Sequence, residues 1–390
     1  MNNFIFENAT KIFFGKGCVK EYLRCLVSHY GENILFCYGG GSVKKNGIYE
    51  EIMECLKKAG KNVTEFPGIM SNPTYKKVLE GAKLAREKKI DLILGVGGGS
   101  VMDCCKAISL AAVYSGDVWA DFWARPGIID FEPLPLGVIV TAAGTGSEMN
   151  GGAVITNQEL KIKAGKDYPK CNPKFALLDP AYTFSLPKRQ MVSGGFDTLS
   201  HIMEIYFSRP DEKNVSDDIV ESLMRGVIRD IRAAAKDPLD YTARSNLMWE
   251  ATMAENRIIK LGKQTDFQCH MMEHSLGAFT DCNHGEGLAV LHPVYYRHIC
   301  EAGKEKFAQF AAQVWGISPG GKTTLELAKA GVEALAAFIQ EMGLPTTLEQ
   351  MGITKENTDL AAIADSCAIV GGSYRKLTRK EIYEILLECL

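Results

Sequence analysis

No apolar run in the 390 residues reaches the ~18–20 that a membrane-spanning helix requires. Residues 1–7 offer neither the basic head nor the apolar core of a signal peptide, so a cytoplasmic chain is expected. An excess of charge of one sign is missing too. The formal net charge is −3 with 23% charged residues, which gives no reason to expect nucleic acid or an anionic membrane as a partner. The twelve cysteines are scattered with no CxxC pair and, without an export signal, read as reduced thiols. There is no internal repeat and no low-complexity segment. What remains is a globular chain longer than one core normally holds.

The chain divides into two halves by pattern. In the first, short apolar runs read as strands at 33–38, 62–66, 91–96, 136–140, 153–156 and 175–178. Amphipathic segments between them read as helices, at about 47–59, from 72 to about 88 (Asn72 as N-cap, Pro73 at the first helical position), and after residue 100 to about 113. Such alternation predicts an α/β domain with a parallel, Rossmann-like sheet covered by helices on both faces. From 186 onward the periodicity is helical with almost no strand signal, and Pro210, Pro238, Pro319 and Pro345 punctuate the connections. The expected organisation is an α/β domain over 1–185 and an all-α domain over 186–390.

Three of the strands end in glycine-rich turns: Gly39-Gly40-Gly41-Ser42, Gly97-Gly98-Gly99-Ser100 and Gly144-Thr145-Gly146-Ser147. None is a strict GxGxxG, and strand-to-helix turns favour glycine for their own reasons. Three at the carboxyl ends of strands in one parallel sheet is a stronger sign, because open sheets bind ligands there and helix N-termini offer free N–H groups to phosphate. A dinucleotide is the expected ligand. The first turn bears on which one. It carries no acidic side chain to claim a ribose 2′-hydroxyl, Ser42 can donate to a 2′-phosphate, and Lys44 or Lys45 can neutralise it. NADP(H) is therefore expected ahead of NAD(H). The plain alternative is that both lysines are solvated residues at a helix start.

The second half holds the densest chemistry. Five of the seven histidines lie between 270 and 298. His270 and His274 stand four apart in a helical segment and share a face. His284 follows a short turn and precedes Gly285, which is expected to let the backbone bend closely there. Upstream, Asp197 and His201 form a second pair at the same spacing. Either pair alone is more often a surface pair than a site. Together they can close on one divalent metal, and imidazoles with one carboxylate suit Fe(II) or Zn(II).

These residues make the chain resemble the iron-containing (group III, metal-dependent) alcohol dehydrogenases, in their butanol-dehydrogenase-like branch. The resemblance runs through Thr10-Lys11-Ile12-Phe13-Phe14-Gly15, Tyr38-Gly39-Gly40-Gly41-Ser42-Val43-Lys44, Gly97-Gly98-Gly99-Ser100-x2-Asp103-x2-Lys106 and Gly144-Thr145-Gly146-Ser147-Glu148. It continues in Asp197-x3-His201 and His270-x3-His274-x9-His284-Gly285, and so covers essentially the whole chain. It implies the two-domain fold shared with dehydroquinate synthase. It implies a metal, Fe(II) ahead of Zn(II), held by Asp197, His201, His270 and His284, with His274 beside the nicotinamide. The cofactor contacts it implies are Gly39, Gly40, Gly41, Ser42, Asn72, Gly97, Gly98, Gly99, Ser100, Asp103, Thr141, Thr145, Asn150, Lys163 and Tyr182. A homodimer is the expected assembly.

The activity so implied is interconversion of small aldehydes and primary alcohols, with a metal polarising the oxygen and a nicotinamide exchanging the hydride. His274 either relays the proton or orients the nicotinamide. Met149, Phe196, Phe267, Met271, Met272 and Phe279 lie near the ligands in sequence; most read as helix core, and a few lining a pocket would suit an aliphatic substrate. Two rival readings use the same motifs. A polyol dehydrogenase or a dehydroquinate-synthase-like lyase would draw on basic residues such as Arg244, Arg257, Lys260 and Lys263, and a non-enzymatic metal- and nucleotide-binding protein would turn nothing over.

Overall fold

The computed structural model describes residues 2–212, 214–371 and 374–390. Its contacts divide it into two compact units, Glu7–Leu186 and Pro187–Leu390, and the chain before Glu7 groups with the second. The Asn2 N–H makes that attachment by donating to the Gly262 carbonyl at 2.9 Å.

In the first unit the strands are β1 (Lys11–Phe14), β2 (Asn33–Tyr38), β3 (Asn62–Phe66), β4 (Leu92–Gly97), β5 (Leu136–Val140), β6 (Gly152–Asn157), β7 (Ile162–Asp167) and β8 (Phe175–Leu178). Among the described residues, six of them form one sheet in the order β1-β8-β5-β4-β2-β3, and every pairing in it is parallel. Its inner strands read NILFCY, LILGVG, LGVIV and FALL and are almost wholly buried. Continuous apolar runs of this kind are what a parallel sheet covered on both faces requires. The covering helices are α1 (Cys18–Ser28), α2 (Ser42–Lys45), α3 (Ile48–Lys58), α4 (Tyr75–Glu87) and α5 (Gly99–Ala111). On one face Val19, Leu23, Ile52 and Leu56 pack against Phe36, Leu94 and Leu177, all of them fully buried. Each such side chain contributes about 1.5–3 kcal/mol. Helix α5 is buried along nearly its whole length, which explains why it has so little polar face.

Three local features differ from the pattern reading. β1 is a four-residue edge strand that the pattern does not show as a strand. The strand read at 153–156 belongs not to the parallel sheet but to a β6–β7 antiparallel hairpin, whose second strand, IKAGKD, has no apolar alternation to announce it. Helix α4 is capped by Thr74 rather than by Asn72. The Thr74 side chain accepts from the Lys77 N–H at 3.2 Å, while Pro73 precedes the helix and its carbonyl accepts from the Thr156 N–H at 2.9 Å.

The second unit is helical: α6 (Lys188–Tyr206), α7 (Val215–Lys236), α8 (Tyr241–Glu255), α9 (Gln268–Thr280), α10 (His284–Ile299), α11 (Lys304–Gln313), α12 (Thr324–Glu341), α13 (Leu360–Ser366) and α14 (Arg379–Glu388). Phe207, Tyr296, Phe307 and Phe310 form its aromatic centre, with Phe207 stacked on Phe307 at 4.1 Å between ring centroids. No helix among the described residues is long and apolar enough to cross a membrane.

Candidate metal centre and nucleotide loops

Asp197 and His201 lie one turn apart on the buried face of α6, and His270 and His274 one turn apart on α9. His284 is the first residue of α10. The Asn283 side chain caps that helix by accepting from the Glu286 N–H at 3.1 Å, and it also accepts from the Ser193 hydroxyl at 2.5 Å. The role expected for Gly285 has to be corrected. It sits inside α10 and makes no bend. A Cβ there would stand 2.3 Å from the Ser193 carbonyl oxygen, so glycine is needed to let α10 start against α6.

Three of the five side chains converge on one atom of a fourth. Asp197 Oδ1 lies 3.5 Å from His201 Nδ1, 3.7 Å from His270 Nε2 and 3.5 Å from His284 Nε2. Asp197 Oδ1, His201 Nδ1 and His270 Nε2 are buried and have no hydrogen-bond partner. Unpaired buried polar atoms cost about 1–3 kcal/mol each, so three facing one another call for something between them. Ligands placed tetrahedrally at about 2.1 Å from a metal stand about 3.4 Å apart, close to the spacings seen. A divalent cation fits this donor set.

Electrostatics prepare Asp197 and His201 as donors, while His270 has to release a proton before it can donate. Burial would raise the Asp197 carboxyl, but the imidazoles of His201, His284 and His270 hold it down at about 2. Burial lowers His201 to about 4, leaving it a neutral donor. Burial acts the same way on His270, but there Glu204 and Asp197 prevail and raise it to about 10.

Two carboxylates behind the ligands carry no motif of their own. Glu204 on α6 accepts from His270 Nδ1 and from the backbone N–H groups of Cys269 at 2.7 Å and His270 at 3.2 Å. Those amides belong to the first turn of α9, where no intrahelical acceptor exists, so one buried carboxylate pins the helix and orients its ligand. Glu273 on α9, fully buried, accepts from His284 Nδ1. With Nδ1 engaged from behind, each ring turns its Nε2 towards Asp197. The available signal was a His-x2-Glu spacing repeated at His201–Glu204 and His270–Glu273.

His274 is buried one turn beyond His270, with ring centroids 6.2 Å from His270 and 5.7 Å from His284. Its side chain, Glu273 and His284 each offer an atom within 4.8 Å of the others, so it adjoins the ligand cluster. Phe267 borders the cluster too, 5.2 Å from the His270 ring and 6.2 Å from His201. Phe196 and Met272 are core residues. Among the basic residues, Lys263 is buried against Asp217 at 2.6 Å, Lys260 pairs with Glu255 at 2.5 Å, Arg244 is buried and Arg257 is half-buried.

In the α/β unit, β5, β4 and β2 are neighbours, so the turns after them adjoin at their carboxyl ends. Gly39 to Ser42 follow β2, Gly97 to Ser100 run from β4 into α5, and Thr141 and Thr145 follow β5. The Thr141 N–H donates to the Gly97 carbonyl at 3.0 Å, and a Cβ on Gly99 would stand 2.4 Å from the Thr145 side chain, so these two turns are packed together. Asp103 and Asn150 serve the scaffold. Asp103 accepts from the Ser147 hydroxyl at 2.7 Å and the Val154 N–H at 2.9 Å; Asn150 accepts from buried Lys106 at 3.1 Å and donates to the Gly146 carbonyl at 3.1 Å. Asn72 is buried ahead of α4, Lys163 is half-buried on β7, and the Tyr182 hydroxyl donates to Glu51 at 2.9 Å. Lys44 is engaged as well: its ammonium lies 3.2 Å from Glu65 on β3.

Comparison with known proteins places the whole chain in one family. The family model for iron-containing alcohol dehydrogenases matches residues 9–180, and that for the C-terminal part of the Fe-containing alcohol dehydrogenase family matches 191–390. The chain is 38% identical to the probable NADH-dependent butanol dehydrogenase 1 of Bacillus subtilis, over 99% of both chains. It is 36% identical to the NADPH-dependent aldehyde reductase YqhD of Escherichia coli, over 90% of both. The crystal structure of NADH-dependent butanol dehydrogenase A from Thermotoga maritima superposes with a TM-score of 0.93 at 36% identity, covering 100% of this chain and 99% of that one.

Proposed function

The chain belongs to the iron-containing alcohol dehydrogenase family, and from that premise we propose that it interconverts short aliphatic aldehydes and primary alcohols, butanal and butanol among them, with NADP(H) as the preferred cofactor. The observation that carries the reading is the convergence of three imidazole nitrogens on the buried, unpartnered Oδ1 of Asp197 at 3.5–3.7 Å. When bound, a divalent metal polarises the alcohol or aldehyde oxygen as a Lewis acid and the nicotinamide exchanges hydride with the carbon. Asp197, His201, His270 and His284 are the proposed ligands, for Fe(II) first and Zn(II) as the other ion this donor set accepts. Asp197 supplies the single negative charge, so the site stays electrophilic. Glu204 and Glu273 hold the Nδ1 protons of His270 and His284 and so keep the two rings turned inward. His274, beside the cluster, is proposed to hold and pass on the proton that the alcohol hydroxyl loses.

NADP(H) preference is supported by the Gly39–Ser42 turn, which has no carboxylate of its own, and by the NADPH-dependent relative; the NADH-dependent relatives keep NAD(H) as a second substrate. A cytoplasmic homodimer completes the proposal. The deciding experiment is to reload the purified protein with Fe(II) or Zn(II) and to follow NADPH and NADH oxidation against a panel of aldehydes. If no aldehyde gives sustained oxidation of either cofactor, the proposed activity is wrong. Sedimentation at a monomer mass would remove the dimer.

A further inference from the structure

The acid that the Gly39–Ser42 turn lacks is supplied from the next strand. Glu65 on β3 sits opposite Phe36 in the parallel register, at the edge of the sheet beside β2. Both of its carboxylate oxygens are engaged. The hydroxyl of Tyr38, the residue just before Gly39, donates to Oε2 at 2.5 Å, and that of Tyr49 donates to Oε1 at 2.7 Å. Lys44, from the short helix that the turn leads into, places its ammonium 3.2 Å from Oε2. The same ammonium lies 4.4 Å from the Tyr49 ring centroid and 5.2 Å from that of Tyr38. Two rings and a carboxylate, itself fixed by two hydroxyls, therefore hold the Lys44 ammonium in place.

We propose that Glu65 is a specificity-determining residue: by occupying Lys44 it limits how strongly the turn selects a 2′-phosphate over a 2′-hydroxyl. The inference rests on the reading of Gly39–Ser42 as the turn that receives the adenosine ribose. A 2′-phosphate carries nearly two negative charges. It has to draw Lys44 from Glu65 and approach the carboxylate that remains, whereas a 2′-hydroxyl meets neither demand. Nucleotide selection is thus moderated by a residue that need not touch the nucleotide. NADPH-dependent and NADH-dependent relatives of similar identity are consistent with a turn whose selectivity is set by its surroundings.

The test is a double-mutant cycle read by calorimetric titration of the metal-loaded, full-length protein with NADPH and with NADH. Glu65→Gln keeps the side-chain volume and frees Lys44, so the ratio of NADPH to NADH affinity should rise about tenfold. Lys44→Met in the unmodified background should change that ratio less than about threefold, because Lys44 is already paired. In the Glu65→Gln background it should cost the whole gain. An unchanged ratio in Glu65→Gln, or a gain that survives intact in the double variant, overturns the proposal. Should Glu65→Gln not fold, a large loss of NADPH affinity in Lys44→Met alone would overturn it, since Lys44 would then be serving the phosphate despite Glu65. An unmodified protein that binds neither nucleotide would instead sink the reading of the turn itself.

Discussion

Replacing Glu204 by Gln tests the metal centre at a residue that would not touch the metal. The carboxylate accepts from three donors: the N–H groups of Cys269 and His270 and the Nδ1–H of His270. A glutamine of the same shape offers one oxygen and one NH2. If the oxygen keeps the Cys269 amide, the NH2 takes the place of the oxygen that serves His270: it leaves the His270 N–H without an acceptor and, facing Nδ1, imposes the tautomer with the ring proton on Nε2, the atom that should face the metal. If the amide turns the other way, the first turn of α9 meets a donor instead of an acceptor. Loss of a partner behind a metal-ligating histidine typically costs about 10–100-fold in affinity, roughly 1.4–2.8 kcal/mol, and the tautomer argument puts this variant near the upper figure. Loss of a buried negative charge at the N-terminus of α9 adds a destabilisation of about 0.3–2 kcal/mol. There is a pH signature as well. With His270 raised to about 10, mainly by Glu204 acting against burial, a proton leaves on metal uptake and metal affinity climbs as pH rises towards that value. The climb should be shallower in Glu204→Gln. Competition with a chelator at several pH values, with thermal melting alongside, measures all of this. Metal affinity unchanged within about twofold, together with a lowered melting temperature, would reduce Glu204 to a helix-pinning residue and refute the argument.

The remaining predictions are simpler. His284→Ala should lose both bound metal and activity while nucleotide still binds; undiminished metal by elemental analysis would remove His284 from the ligand set. His274→Ala should keep its metal, and if the side chain carries a proton, added imidazole should restore part of the turnover; metal loss would instead make His274 a ligand. Glu250 on α8 is pushed up to about 8 by burial and by the neighbouring Asp230 charge. From the ordinary carboxylate range up to about 8 the folded state holds the extra proton, so the stability it lends is lost as pH rises through that window. Glu250→Gln should therefore raise the melting temperature more at about pH 9 than at about pH 5, and an equal gain at both would show that Glu250 does not titrate there.

What the sequence made legible followed from local periodicity. Apolar runs buried on both faces marked β2, β4, β5 and β8, and four-residue spacings put Asp197 with His201 and His270 with His274 on shared helix faces. What escaped depended on partners distant in the chain. Glu204 is an ordinary helical glutamate until α9 starts 64 residues later with its free amides against it. Lys44 looks solvated until parallel pairing of β2 and β3 brings Glu65 beside it. Gly285 suggested a turn, yet what demands it is the Ser193 carbonyl of another helix.

The buried carboxylates were missed for a further reason. A charged side chain on a helix or strand costs little to leave in water and much to bury, so by default such residues read as surface. Glu204 and Glu273 are buried and paired with imidazoles, and Asp197 is buried with one oxygen facing only imidazole nitrogens. Burial alone does not single them out, since Asp217 and Glu286 are buried in the same unit against Lys and Arg side chains; what sets these three apart is that they face imidazoles. Their arrangement makes physical sense around a bound cation: one carboxylate faces it and two face away, each of these holding the back of a ligand. The two glutamates therefore add independent support to the metal reading carried by the convergence on Asp197.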